Sequence, residues 1–174
     1  MNEKSLRVLE FNKIIDKLKT KASSSLGLKH IENLKPSNDF DEVKNTLLET
    51  SEAQAILIKR GLVSMDGIHD IEDKAKRAHV GATLDPGALL KIADCLRVAR
   101  SLKRNLEGSE EEDFNYPIIQ ALTNALYTFR DIEDRIYTSI VGESEISDNA
   151  STTLKTIRRR IVQKNQSIRS KLNS

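Results

Sequence analysis

At 174 residues, with 38% hydrophobic and 31% charged side chains, the chain has the size of one ordinary domain and can bury a core. Seven Gly, three Pro, no Trp and 4% aromatic residues, beside abundant Leu, Ile, Ala, Lys and Glu, argue against a sheet-built fold and for an all-α chain. The net charge of +2 is unevenly spread, since residues 107–148 carry eleven acids and two bases whereas 151–174 carry seven bases and no acid, a pattern that points to a charged partner.

In chain order, residues 5–21 place Leu6, Leu9, Phe11, Ile14, Ile15 and Leu18 on one side of a helical wheel and Lys13, Lys17 and Lys19 on the other. That spacing predicts an amphipathic helix with a break near Phe11. A cap among Ser23 to Ser25 opens a short helix bearing Leu26, Leu28, Ile31 and Leu34, which must stop before Pro36. Asp39, followed by Glu42, resembles a capping box, and the helix it opens runs to Gly61. Asp70 is expected to cap a short helix ended by Gly81. Asp85 as N-cap with Pro86 at the first helical position is the clearest helix start, and Gly108 is its expected stop. An acidic connection, EGSEEEDFN, precedes Pro117. From there Ile118, Leu122, Leu126, Phe129, Ile132, Ile136 and Ile140 keep near-heptad spacing and predict one long helix. Gly142 breaks it, and Ser147 and Asp148 offer caps for a last helix with a seam of Ala150, Leu154, Ile157 and Ile161 that skips one turn at Lys164/Asn165 and resumes at Ile168 and Leu172. The two seams are expected to fold back as an antiparallel pair, giving an elongated all-α multi-helix bundle.

Chemistry is sparse. No closely spaced glycines with Lys and Ser/Thr form a phosphate loop. His30, His69 and His79 never stand at metal-ligand spacing with one another or with Cys95, so neither a metal nor a thiol nucleophile is expected. Asp66, His69, Asp70 and Glu72 cluster in one loop, where capping and solvated polarity explain them. Met65 and Phe40 read as core plugs. A single cysteine excludes an internal disulfide and fits a cytoplasmic setting. The opening MNEKSLRVLEF has no signal-peptide core, and no window reaches the ~18 apolar residues of a membrane span, so no membrane partner is expected. What remains is a basic rail on the last helix: Lys155, Arg158, Arg159, Arg160, Lys164, Arg169 and Lys171. It is either a solvated face that balances the acidic 107–148 segment or a sequence-independent contact for nucleic-acid phosphates, without aromatic residues for base stacking.

Four segments carry a resemblance: LEFNKIIDKL; LKPSNDFDEVKNTLLETSEAQAIL; GIHDIEDKAKRAHVGATLDPGALLKIADCLRVARSLK; and GESEISDNASTTLKTIRRRI. Together, in this order, they resemble the N-terminal region of the second bacterial MutS family over essentially the whole chain. The resemblance implies residues 1–141 as a helical core domain and 142–174 as the start of a long lever helix, cut inside its seam at LNS. It implies a longer parent with a coiled clamp, an ABC-type ATPase domain that dimerises, and an Smr nuclease domain. ATP and Mg are the parent's expected cofactors, none being held by this fragment; branched DNA, the ribosome, or both are its expected partners. The lever seam is then expected to pair partly with helices returning from the clamp. No ATPase or nuclease motif falls on these 174 residues, so no catalytic, cofactor or metal residue is assigned.

Overall fold

The computed structural model describes residues 3–61, 64–106 and 116–172. It is all-α as the composition requires, 72% helical, with nine α-helices, one 3-10 turn and one short hairpin among the described residues. The helices are α1 (Glu3–Val8), α2 (Phe11–Lys19), α3 (Ser25–Glu32), α4 (Phe40–Arg60), α5 (Glu72–His79), α6 (Pro86–Leu106), α7 (Pro117–Asn124), α8 (Arg130–Ser139) and α9 (Thr152–Leu172). The hairpin pairs β1 (Ile140–Gly142) antiparallel with β2 (Glu145–Ile146), and the 3-10 turn covers Asp148–Ala150. The chain forms two compact units, one from Met1–Asp70 with Asp94–Thr128, the other from Ile71–Ala93 with Phe129–Ser174. Helix α6 thus gives residues 86–93 to the second unit and 94–106 to the first.

In the first unit, local side-chain chemistry sets the helix ends. Glu10 adopts a left-handed backbone (φ 53°), which separates α1 from α2 at the break expected near Phe11. Ser24 Oγ accepts from the Gly27 amide at 3.0 Å and caps α3. Asp39 Oδ1 accepts from the amides of Asp41 (2.9 Å) and Glu42 (3.1 Å) and caps α4. Glu42 does not close a capping box; its carboxylate accepts a hydrogen bond from the Ser37 hydroxyl, while Ser37 Oγ accepts from the Asp39 amide. Gly61 ends α4 at φ 78°, a conformation glycine adopts without steric cost.

Two long-range polar contacts order the rest of this unit. Helix α7 has no side-chain cap of its own; instead Glu52 Oε2, two-thirds of the way along α4, accepts from the amides of Ile118 (3.0 Å) and Ile119 (2.9 Å). A carboxylate at a helix N-terminus satisfies otherwise orphaned donors and complements the helix dipole. Cys95 Sγ accepts from the His69 amide at 3.0 Å and faces the carbonyl oxygens of His69 (3.2 Å) and Gly67 (3.6 Å), so the thiol fastens loop 64–70 to α6. Ile56 and Val98 are buried in this unit. Phe40 and Met65, expected as core plugs, are 77% and 47% exposed. Phe40 stands at the first position of α4, diametrically opposite the buried Ile56 on the wheel, and Met65 sits in a surface loop.

In the second unit, Ala93, Ile136 and Ile140 form a small buried cluster against which Leu89, Leu90 and Ile92 pack. Asp85 caps α6 as expected, its Oδ1 accepting from the Ala88 amide at 2.8 Å. That bond holds the Asp85 carboxyl below its usual pKa, with the Arg77 charge adding to the effect. Helix α5 ends at Gly81 (φ 78°), and the residue at its N-cap position is Ile71, one place after the Asp70 expected there; in the first unit Asp70 pairs with Lys29 at 3.2 Å.

The long helix expected from Pro117 to Ile140 is instead two helices and a strand. Helix α7 stops at Asn124, residues 125–129 are non-helical, and α8 gives way to β1 at Ile140. Lys103 Nζ donates to the Leu126 carbonyl at 2.9 Å, holding in a tertiary contact an oxygen that a continuous helix would use for its own ladder. Tyr127, Thr128 and Phe129, aromatic and β-branched, lose little by leaving the helix. The first limb of the expected helix pair is therefore not one continuous helix. Gly108 and the acidic stretch 107–115 lie outside the described residues.

Candidate nucleic-acid interface

All seven sequence-predicted basic residues lie on α9. The helix starts one turn later than expected: Ser147 Oγ caps the 3-10 turn through the Asn149 amide (3.1 Å), and Ser151 Oγ caps α9 through the Leu154 amide (3.0 Å). With no acid, Gly or Pro between Thr152 and Leu172, nothing in the local sequence interrupts it.

The seven do not share one face. At 3.6 residues per turn, Leu154, Ile157, Ile168 and Leu172 fall within about 40° of Ile161 and form one stripe. On the same wheel, Arg158, Arg169 and Lys155 lie about 60–120° to one side of that stripe, and Lys164, Lys171 and Arg160 about 60–100° to the other. Arg159 alone stands at the back. The rail is thus two shoulders with an aliphatic stripe between them.

Burial sharpens the picture. Along α9 only Leu154 and Arg158 are half-buried, and every other described position is exposed. Ile157, Ile161, Ile168 and Leu172 are exposed to 49%, 53%, 56% and 79%, so the stripe is uncovered. Arg158 is engaged at the helix start, its Nη1 donating to the Asp148 carboxylate at 2.5 Å and to the Ile146 carbonyl at 2.8 Å. Arg158 therefore has a structural task. Lys155, Arg159, Arg160, Lys164 and Arg169 are solvent-facing charges of the kind that meet a polyanion.

The other polar clusters act as local structure. Asp66 accepts from the Ser64 hydroxyl (3.1 Å), Arg97 donates to the Asp66 carbonyl (3.1 Å), and Glu72 pairs with Lys76 one turn on (2.6 Å). Among the described residues, no group of three His, Cys, Asp or Glu side chains is placed to hold a metal ion, and no helix is long and apolar enough to cross a membrane. The engagement of Arg158 and the exposure of Ile157 and Ile161 escaped sequence reasoning, whereas uncovered apolar residues near Ile168 and Leu172 were expected. The two-shouldered placement was available from the 3.6-residue period.

No family model matches the chain. Along all 174 residues it is 72% identical to an endonuclease MutS2 of Clostridioides difficile. The chain belongs to the MutS2 family. It is also 49% identical over 173 residues to an endonuclease MutS2 of Acetivibrio thermocellus, and 48% identical over 174 residues to one of Alkaliphilus oremlandii. In each case the match covers 22% of the relative, so the chain spans about a fifth of the length of the MutS2 proteins it matches. The resemblance carried by LEFNKIIDKL and ISDNASTTLKTIRRRI, to the N-terminal region of MutS2, is borne out.

Proposed function

We propose that this chain is a non-catalytic helical segment of a MutS2-type ATPase, a core and lever element that passes motion between an ATPase dimer and a nucleic-acid clamp. The observation that supports it is the whole-length match to about a fifth of proteins named endonuclease MutS2, in a segment built of helices. Helices packed on one another move as rigid bodies, which suits transmission of a hinge motion. In this reading ATP, Mg and the nuclease chemistry belong to parts of the parent beyond this segment. The parent dimerises through its ATPase domain and acts on branched DNA, on collided ribosomes, or on both.

Two measurements test it. The 174-residue chain should fold and show no ATP hydrolysis above buffer; turnover by this chain alone would overturn the reading. In the parent, a Gly-Pro interruption of α9 at Lys164–Asn165 should leave basal ATPase intact and abolish its stimulation by nucleic acid or ribosomes.

The exposed bases of α9 favour a second reading, a direct and sequence-independent contact with DNA or RNA. Affinity for branched duplex should then fall steeply with salt, by a log–log slope of about −0.9 for each phosphate neutralised. Reversing Arg159 and Arg160 to Glu should flatten that slope. An unchanged slope would make these charges a solvated surface.

A further inference from the structure

We infer that Asp148 is an autoinhibitory acid: it holds Arg158 out of the basic rail, and the phosphate backbone of a nucleic acid gains that residue only by displacing the Asp148 carboxylate. This rests on the second reading above, a direct contact of α9 with DNA or RNA, and names the side chain that restrains it. Arg158 shares one shoulder of α9 with Lys155 and Arg169, and Lys155 precedes it by three residues, about 4.5 Å of rise. It is therefore placed to act with them on a polyanion that tracks the helix. Its guanidinium is committed elsewhere, Nη1 donating to Asp148 Oδ1 at 2.5 Å and to the Ile146 carbonyl at 2.8 Å. Carboxylate and phosphate ask the same of arginine, a charge-assisted hydrogen bond to an anionic oxygen, so the two are competitors. A phosphate that approached the remaining guanidinium nitrogens would also stand beside the Asp148 carboxylate, like charge against like.

The position of Asp148 makes it more than a local partner. Together with Lys155, Arg158 and Arg159 it lines one hollow beside α9, so an acid stands where the rail begins. The restraint is shallow, because the Arg158 and Asp148 side chains are 42% and 57% exposed and solvent screens the pair. A factor of about two to five in affinity is its expected size, enough to tune binding and too little to forbid it. Displacement also has a structural consequence. A polyanion that takes Arg158 from Asp148 frees the Ile146 carbonyl as well, which unties the second turn of α9 from β2. Binding and release are linked reciprocally, so whatever the pair costs the polyanion, the polyanion costs the pair.

The test measures the affinity of the 174-residue chain for a branched duplex DNA by fluorescence anisotropy at one low ionic strength. Asp148→Ala should tighten binding about two- to fivefold beyond the gain from Glu145→Ala, which removes an equal charge from the neighbouring strand. In an Arg158→Gln background that extra gain should vanish, each variant remaining folded by circular dichroism. Asp148→Asn, gentler on the 3-10 turn, should show both effects in smaller measure, since its amide oxygen still accepts from Arg158. On saturation of the unsubstituted chain with DNA, the Ile146 carbonyl resonance should move toward its position in free Arg158→Gln. Equal gains from Asp148→Ala and Glu145→Ala, or an extra gain that survives Arg158→Gln, would overturn the restraint and leave Asp148 a bystander charge. An Ile146 resonance unmoved at saturation would overturn the displacement. Binding that is independent of salt and of the reversal of Arg159 and Arg160 would instead overturn the direct contact, and the restraint with it.

Discussion

Arg158 and Asp148 meet at 2.5 Å across the start of α9, and the same guanidinium also reaches the Ile146 carbonyl at 2.8 Å. One residue of the expected rail thereby joins the second turn of α9 to the strand and 3-10 turn before it. Arg158→Ala should fray the first turns of α9, lowering hydrogen-exchange protection at residues 155–159. The global cost should be small, about 0.5 kcal/mol, because both side chains are roughly half exposed and solvent screens the pair. Arg158→Lys should restore part of the protection, since both bonds come from the single nitrogen Nη1 and one ammonium can donate to both oxygens.

Glu52→Ala removes the acceptor shared by the amides of Ile118 and Ile119. Both donors then lose their protein partner in a half-buried setting, and the chain should lose about 1–2 kcal/mol in urea melts. Exchange at residues 118–121 should accelerate most. Glu52→Gln, which keeps a carbonyl oxygen, should recover a substantial part of the loss; equal destabilisation by both variants would mean that charge, and not acceptance, is what α7 needs.

Gly67 has φ 101°, and a Cβ there would stand 2.8 Å from Arg97 Nη2 and 3.2 Å from Asp94 Cβ. Gly67→Ala should destabilise the chain by about 1–3 kcal/mol, through both the backbone strain and the displaced contacts. The loop it distorts is the one that Cys95 fastens, so the rate of thiol labelling at Cys95 should rise with the loss of stability. A Gly67→Ala protein with unchanged labelling would separate the loop from the thiol.

Asp85 titrates below its usual value of 3.8, chiefly because its carboxylate accepts from the Ala88 amide. The folded pKa being the lower, the contribution is fully present above the unfolded pKa and is lost as pH falls through the folded one. The pH dependence therefore lies in the acid range below about pH 4. The Asp85 carboxyl resonance should titrate below 3.8 in the native protein, and Asp85→Asn should keep the cap while removing this part of the acid sensitivity. A native titration at or above 3.8 would show that the cap bond is not maintained in solution.

Helix ends were legible where one residue's own chemistry decides them. Ser24, Asp39 and Asp85 cap through side-chain oxygens two or three residues ahead, and Gly61 and Gly81 terminate through a backbone conformation that other residues resist. These interactions are short in sequence, so a local pattern contains all their parts. Family membership was legible for a related reason, since it rests on the order of segments along the chain.

The break after α7 was not legible, because Leu122, Leu126 and Phe129 keep a helical period through it, and the group that holds it open, Lys103, is 23 residues away. Nor was the use of Glu52 as a cap for a helix 66 residues on, or the pairing of Asp70 with Lys29. Each depends on which helix lies against which, and no window of sequence contains both partners. On α9 the division is sharpest. Composition and period alone determine a basic helix with an aliphatic stripe between two charged shoulders. Only the tertiary structure decides that Ile157 and Ile161 also stay in solvent and that Arg158 is engaged, because exposure is a property of what packs against a helix.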